Sequence, residues 1–156
     1  MIVSDLALKL KPLRNSVIFL DIDGTLVPDS ADRAGDWAVK MVEELKKNGN
    51  VIVLVTNSRR YDRNRIIAHQ LSLSIATEQY RKPLKRAAGE YLSAGSEMVV
   101  VGDKWVTDGL FARNIGAGFI KAQRLSAGTE GVATKLAYLI DNIIGRLLAP
   151  FIKRTA

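Results

Sequence analysis

Two carboxylates one residue apart, Asp21 and Asp23, follow directly on the apolar run Val17-Ile18-Phe19-Leu20, and Gly24 then turns the chain. Acids at the edge of an apolar run are costly unless something neutralises them, and a divalent cation with oxygen ligands is the simplest neutraliser. A calcium loop does not fit, because it needs a third oxygen ligand before its glycine, a late glutamate and an entering helix. A strand end bearing two solvated acids remains open. A carboxylate nucleophile with a second acid beside it makes a sharper claim: other strand ends must then supply the rest of a phosphoryl-transfer site.

Later apolar runs do end in polar groups of different kinds. Residues 51–55 run into Thr56-Asn57-Ser58, the next turn holds Arg81-Lys82-Pro83, and residues 98–101 run into Gly102-Asp103 with Thr107-Asp108 beyond. Singly, each has a plain explanation: Thr56 as a helix cap, Lys82 as a solvated cation, Asp103 and Asp108 as loop and N-cap acids. Jointly, a hydroxyl, a lysine and paired acids, each about one β–α unit from the last, would converge on one crevice.

The elements that must position them follow from the hydrophobic pattern. Residues 17–20, 51–55 and 98–101 read as buried parallel strands, apolar on both faces. Leu71, Leu73 and Ile75 alternate like a short strand, and Phe119-Ile120 reads as a last one. Trp37, Met41, Val42 and Leu45 recur at helical spacing up to Asn48-Gly49; residues 59–70 and 107–114 suit further helices. Pro83 suits the first position of a helix carrying Leu84, Ala88, Tyr91 and Leu92, with Gly95 beyond its end. Residues 1–14 read as a short amphipathic helix or arm, with Pro12 ending it before the first strand. A long helical stripe runs through Leu136, Leu139, Ile140, Ile143, Ile144, Leu147 and Leu148. The expected fold is α/β, three layers around a parallel sheet of about five strands, in one domain.

With 156 residues the chain can bury a proper core, and its 25% charged and 47% hydrophobic residues are ordinary globular values. A formal charge of +7 points to anionic partners or to a solvated basic face. Absence of cysteine excludes disulfides and thiolate metal sites, and a lone histidine, His69, argues against serine–histidine catalysis and multi-histidine zinc. No apolar run approaches the ~18 residues of a membrane span, and charges at Asp5, Lys9 and Lys11 argue against a signal peptide. A cytoplasmic protein is expected.

Asp21-Ile22-Asp23-Gly24-Thr25, Thr56-Asn57, Lys82-Pro83 and Gly102-Asp103 with Thr107-Asp108 resemble, in order, the four motifs of the haloacid dehalogenase (HAD) superfamily. The likeness spans residues 16–122 and is nearest to the subfamily IIIA phosphatases, in particular the phosphatidylglycerophosphate phosphatase-like branch. It implies a Rossmann-like core and phosphomonoester hydrolysis through an aspartyl-phosphate. By resemblance, Asp21 is the nucleophile and Asp23 the general acid and base. Mg²⁺ would be held by the Asp21 carboxylate, the Asp23 backbone carbonyl and Asp103, with Asp108 orienting a metal-bound water or Lys82. Thr56 and Lys82 would grip phosphate oxygens, helped by backbone N–H groups around Gly24 and at Asn57. A second aspartate two residues after the nucleophile marks phosphatases and phosphomutases and disfavours dehalogenation.

Neither the interval from Asp21 to Thr56 nor that from Thr56 to Lys82 has room for an inserted cap, so an open crevice is expected. It would suit a phosphate displayed on a lipid or other large partner, or a soluble sugar or nucleotide phosphate covered by a neighbouring subunit. A non-catalytic binding protein on the same fold is the third reading. Arg59, Arg60, Arg63 and Arg65, with Arg81, Lys85 and Arg86, could draw such a substrate, Arg59 and Arg60 being assigned to phosphate binding. The stripe at 132–148 is expected to pack on the sheet, while Phe151 and Ile152, beside Lys153 and Arg154, are the candidates for contact with an anionic membrane, placing the protein peripherally at an inner membrane surface. Nucleic-acid binding is not expected, for want of a binding motif or stacking platform.

Overall fold

Strands made of Val, Ile, Leu and Phe without polar alternation need apolar cover on both faces. In the computed structural model, which describes residues 2–92, 95–126, 128 and 131–153, they have it. Five strands form one parallel sheet in the order β3-β2-β1-β4-β5: β1 (Val17–Leu20), β2 (Val51–Leu54), β3 (Ser74–Ile75), β4 (Met98–Gly102) and β5 (Gly118–Lys121). Central β1 pairs Val17 with Val51 on one side and with Met98 on the other. The chain winds outward from β1 to β3 and then returns to lay β4 and β5 on the opposite flank. The crevice at such a reversal opens at the carboxyl ends of β1 and β4.

Period-two alternation divides the core. Ile18, Leu20, Ile52, Leu54, Val99 and Val101 pack with α1 (Ile2–Leu10), α2 (Asp36–Lys47) and α3 (Tyr61–Leu71). Val17, Phe19, Val53 and Val100 pack on the other side with α4 (Leu110–Ile115) and two 3₁₀ turns at Lys85–Tyr91. Here the Phe19 and Phe111 rings meet edge to face, 5.7 Å between centroids. Helices on both faces of a parallel sheet make the three-layer, Rossmann-like α/β fold expected above. Between β1 and β2 lies α2, and between β2 and β3 lies α3, with no inserted domain in either interval.

Several local features differ from expectation. Pro83 follows a cis peptide bond and leads into 3₁₀ turns rather than an α-helix, and Gly89, at φ +61°, interrupts even these. The helix expected over 107–114 begins earlier, as a π turn at Trp105–Gly109, before α4 takes over. The largest difference concerns α5 (Val132–Leu148), which does not lay its apolar stripe on the sheet. Its inward residues are Tyr138, Asp141, Gly145 and Leu148, whereas Leu136, Leu139, Ile140, Ile143 and Leu147 are exposed.

Two contacts explain the inversion. The Asp141 carboxylate accepts the N–H groups of Trp105 and Val106, both at 2.9 Å, satisfying donors that the π turn leaves open. Gly145 lets the α5 backbone lie directly against the Trp105 indole, where a Cβ would collide with the ring. Gly145→Ala is therefore expected to cost about 1–3 kcal/mol by overpacking, read as a lower urea midpoint.

Beyond α5 the chain returns to the core. Ile152, expected at a membrane, is buried beside Trp105 and Phe119, because the Lys153 carbonyl accepts the Phe119 N–H at 2.8 Å and covers the open edge of β5. Phe151 remains exposed. Arg154, the other cation of that tail, lies outside the described residues. No described helix is long and apolar enough to cross a membrane.

Candidate active site

Four loops meet at the carboxyl ends of β1, β2 and β4. Asp21 leaves β1 with its N–H still bonded to the Val101 carbonyl at 2.9 Å, so its carboxylate is aimed by the sheet itself. Asp103 leaves β4 beside it. Gly24, at φ +77°, makes the intervening turn possible, and a Cβ there would strike the Asp103 carboxylate. Its N–H donates to the Val27 carbonyl at 2.8 Å, so Gly24 serves the site by shape while that donor closes the turn. Oxygens of Asp21, Asp103 and Asp108 all lie within 4.8 Å of one another, and all three residues are buried.

Lys82 stands among these acids. Its Nζ donates to Asp21 Oδ1 at 2.6 Å and, by a very short contact, to Asp108 Oδ1. Asn57 fixes the lysine's main chain, its Oδ1 accepting the Lys82 N–H at 2.8 Å and its Nδ2 donating to the Lys82 carbonyl at 2.9 Å. The Asn57 side chain is thus a clamp between two loops. Thr56 lines the cleft and accepts the Ser58 N–H at 3.0 Å, a local turn that fixes its hydroxyl. Asp108 Oδ2 accepts the Lys104 N–H at 3.0 Å, tying the acid to the entry of the π turn.

Asp23 sits at the lip of the cleft, paired with Arg60 at 2.8 Å and Arg63 at 2.7 Å. Arg63 is buried and also donates to the Ala31 carbonyl at 2.8 Å. Arg59 is exposed and does not line the cleft, whereas Arg60 does. Arg65 pairs with Glu78, Arg81 packs on Tyr61 and Arg86 on Tyr80, so the basic cluster is partly internal bracing. His69 is an exposed residue of α3, without a part in the site.

Sequence reasoning missed an outer ring. The Tyr138 hydroxyl, from α5, donates to Asp103 Oδ2 at 2.8 Å. The Arg124 guanidinium lies 3.4 Å from the Tyr138 ring centroid and pairs with Asp29 at 2.8 Å. Lys104 reaches Asp103 Oδ1 at 3.4 Å, and Lys121 donates to the Asp103 carbonyl. Arg63, expected among the arginines that draw a substrate, instead braces Asp23 from a buried position. Tyr138 carried no signal, since it lies 35 residues from its partner within a helix that reads as apolar.

Electrostatics follow from burial. Asp21 is pushed up from 3.8 to about 7, chiefly by desolvation, with Lys82 opposing and Asp108 and Asp103 adding to the rise. Burial likewise raises Asp103 against the pull of Lys104. Burial works against the charge on Lys82, yet Asp108 and Asp21 hold it above its ordinary value. Burial raises the Tyr138 phenol as well, and the Asp103 charge adds to it, which keeps the group a donor. Three convergent buried carboxylates form an oxygen donor set that could hold a metal ion.

The cleft measures about 350 Å³ and is lined by Asp21, Asp23, Thr56, Asn57, Lys82 and Lys104, among others. Set against protein-family models, curated proteins and solved structures, the chain gives no match.

Proposed function

We propose that this protein is a Mg²⁺-dependent phosphomonoester hydrolase working through an aspartyl-phosphate, on a phosphate displayed by a large or membrane-borne alcohol such as a phosphoglycerolipid head group. The observation that carries the reading is the meeting of four separate loops: Asp21, Thr56 and Lys82 line one cleft, and the buried Asp103 and Asp108 carboxylates lie within 4.8 Å of that of Asp21. A bland strand end would not gather a lysine and three carboxylates out of water, because each buried charge is costly without a task or a partner.

Asp21 attacks phosphorus in line, and the bond to the alcohol oxygen breaks as Asp23 delivers a proton to it. Asp23 then takes a proton from the water that cleaves the acyl-phosphate, releasing phosphate and restoring Asp21. Lys82 and Thr56 hold the non-bridging oxygens through both steps. Mg²⁺, held by Asp21, Asp103 and the Asp23 backbone carbonyl, would supply neutralising charge to those oxygens. Asp108 keeps Lys82 in place. Arg60, exposed at the lip, is the cation that an incoming phosphate can draw away from Asp23.

The test is phosphate release across a panel of esters, including lipid phosphates in mixed micelles, with Mg²⁺ and with chelator. Release that needs Mg²⁺ and favours micellar lipid phosphate is expected; no release from any ester would overturn the reading. Asp23→Asn should slow turnover by about 10²–10⁴-fold while leaving the fold intact, measured as initial rates beside a thermal melt.

A further inference from the structure

An amphipathic helix ordinarily turns its apolar side inward, because that is where burial stabilises it. Helix α5 does the reverse. Its inner face is held by hydrogen bonds from Trp105 and Val106 to Asp141 and by the close fit of Gly145, and its apolar stripe faces out. Leu139 is 56% exposed, Ile143 54% and Leu147 71%, and Phe151 just beyond continues the surface. So large a contiguous apolar surface marks an interaction face.

Charge selects the occupant. The segment 131–153 holds Lys135, Arg146 and Lys153, all exposed, against a single acid, Asp141, which is buried on the inner face. Within a chain of net charge +7, an apolar stripe rimmed by exposed cations is matched to an anionic lipid surface and mismatched to a second copy of itself.

Position adds a second argument. A mostly apolar groove of about 370 Å³, bounded by Val106, Ile140 and Ile144, runs between α5 and the π turn. It shares Lys104 and Thr107 with the catalytic cleft. A phosphate seated in the cleft would therefore have its apolar portion continue along the groove towards the exposed stripe.

We propose that α5 is the membrane-docking element of this protein, lying in the interface of a bilayer that contains anionic phospholipid and presenting the cleft to head groups there. The docking itself needs no catalysis; its use for lipid-borne substrate rests on the function proposed above.

Co-sedimentation with vesicles of phosphatidylcholine alone, and with about one third phosphatidylglycerol added, tests it on the full chain. The native protein is expected to partition at least about tenfold more strongly to the anionic vesicles, and Leu139→Glu with Ile143→Glu should remove that binding. Both side chains are solvent-exposed, so the double variant should keep its melting temperature and its hydrolysis of a small soluble ester such as para-nitrophenyl phosphate. Binding lost in the variant supports docking even if neither protein hydrolyses any ester, an outcome that would sink only the catalytic reading. Equal binding by native and variant protein, or none by either, overturns the proposal. So does a native dimer in sedimentation velocity that the double variant splits, since the face would then be a subunit interface.

Discussion

Asp21→Asn is expected to reduce phosphate release by about 10⁴-fold or more while leaving a folded and, without divalent cation, more heat-stable protein. The amide keeps the shape and a hydrogen-bond acceptor for Lys82 but cannot form the acyl-phosphate. Stability should move the other way because the native carboxyl is costly to ionise where it stands. Its pKa in the fold is about 7, against 3.8 for the free group. A carboxyl raised on folding carries no penalty below the lower value, loses stability for the fold as pH climbs between the two, and carries the full penalty above the higher. With chelator present, the variant should therefore melt above the native protein by on the order of 5 °C at pH 8, and by less at pH 5. Adding Mg²⁺ should reverse the order at pH 8, because in the proposed site the Asp21 carboxylate is one of the ion's ligands and the amide is a weaker one. A variant that still turns over normally would remove Asp21 from the chemistry. A variant that is no more stable than wild type at pH 8 would show that the carboxylate is not strained by burial.

Lys82→Met should be the most damaging single change to stability. It takes away the cation that bonds to Asp21 at 2.6 Å and also to Asp108, leaving buried acids facing one another with Asp103 nearby. Removing one partner of a buried ion pair costs about 3–5 kcal/mol, far more than the pair itself need contribute. Chelated protein should show this as a lowered urea midpoint with an unchanged slope, and Mg²⁺ should recover part of it by supplying the missing charge. Activity should fall by about 10²–10³-fold if, as proposed, Lys82 also donates to the phosphate oxygens. The contrast is Arg65→Met, which breaks the exposed pair with Glu78 and should leave the midpoint unmoved. Equal effects of the two substitutions would contradict the burial argument.

Much of this arrangement is legible in the chain itself. Unbroken short runs such as Val17-Ile18-Phe19-Leu20 read as strands covered on both faces, and their alternation with helical segments argues a parallel sheet. A parallel sheet then puts whatever follows each strand at one end of the molecule. Hence Asp21, Thr56 and Asp103 could be assigned to a common crevice before any coordinates, and Lys82 joined them through its turn. Arg59 and Arg60, adjacent in sequence, could not be told apart, because only the start of α3 decides which guanidinium faces Asp23.

What the sequence by itself determined, then, is the sheet and the polar groups gathered at its end, since both depend on short-range periodicity and on topology rules that span a few dozen residues. Only the tertiary structure decided the orientation of α5. Its apolar stripe looks inward-facing on paper, and burial alone would place it so. Two backbone N–H groups at Trp105 and Val106, together with the absence of a side chain at Gly145, favour the opposite face. Hydrogen bonds to a distant turn and a steric fit against one indole leave no periodic trace, so Tyr138 reaching Asp103 and the outward leucines and isoleucines emerge only once the chain is folded.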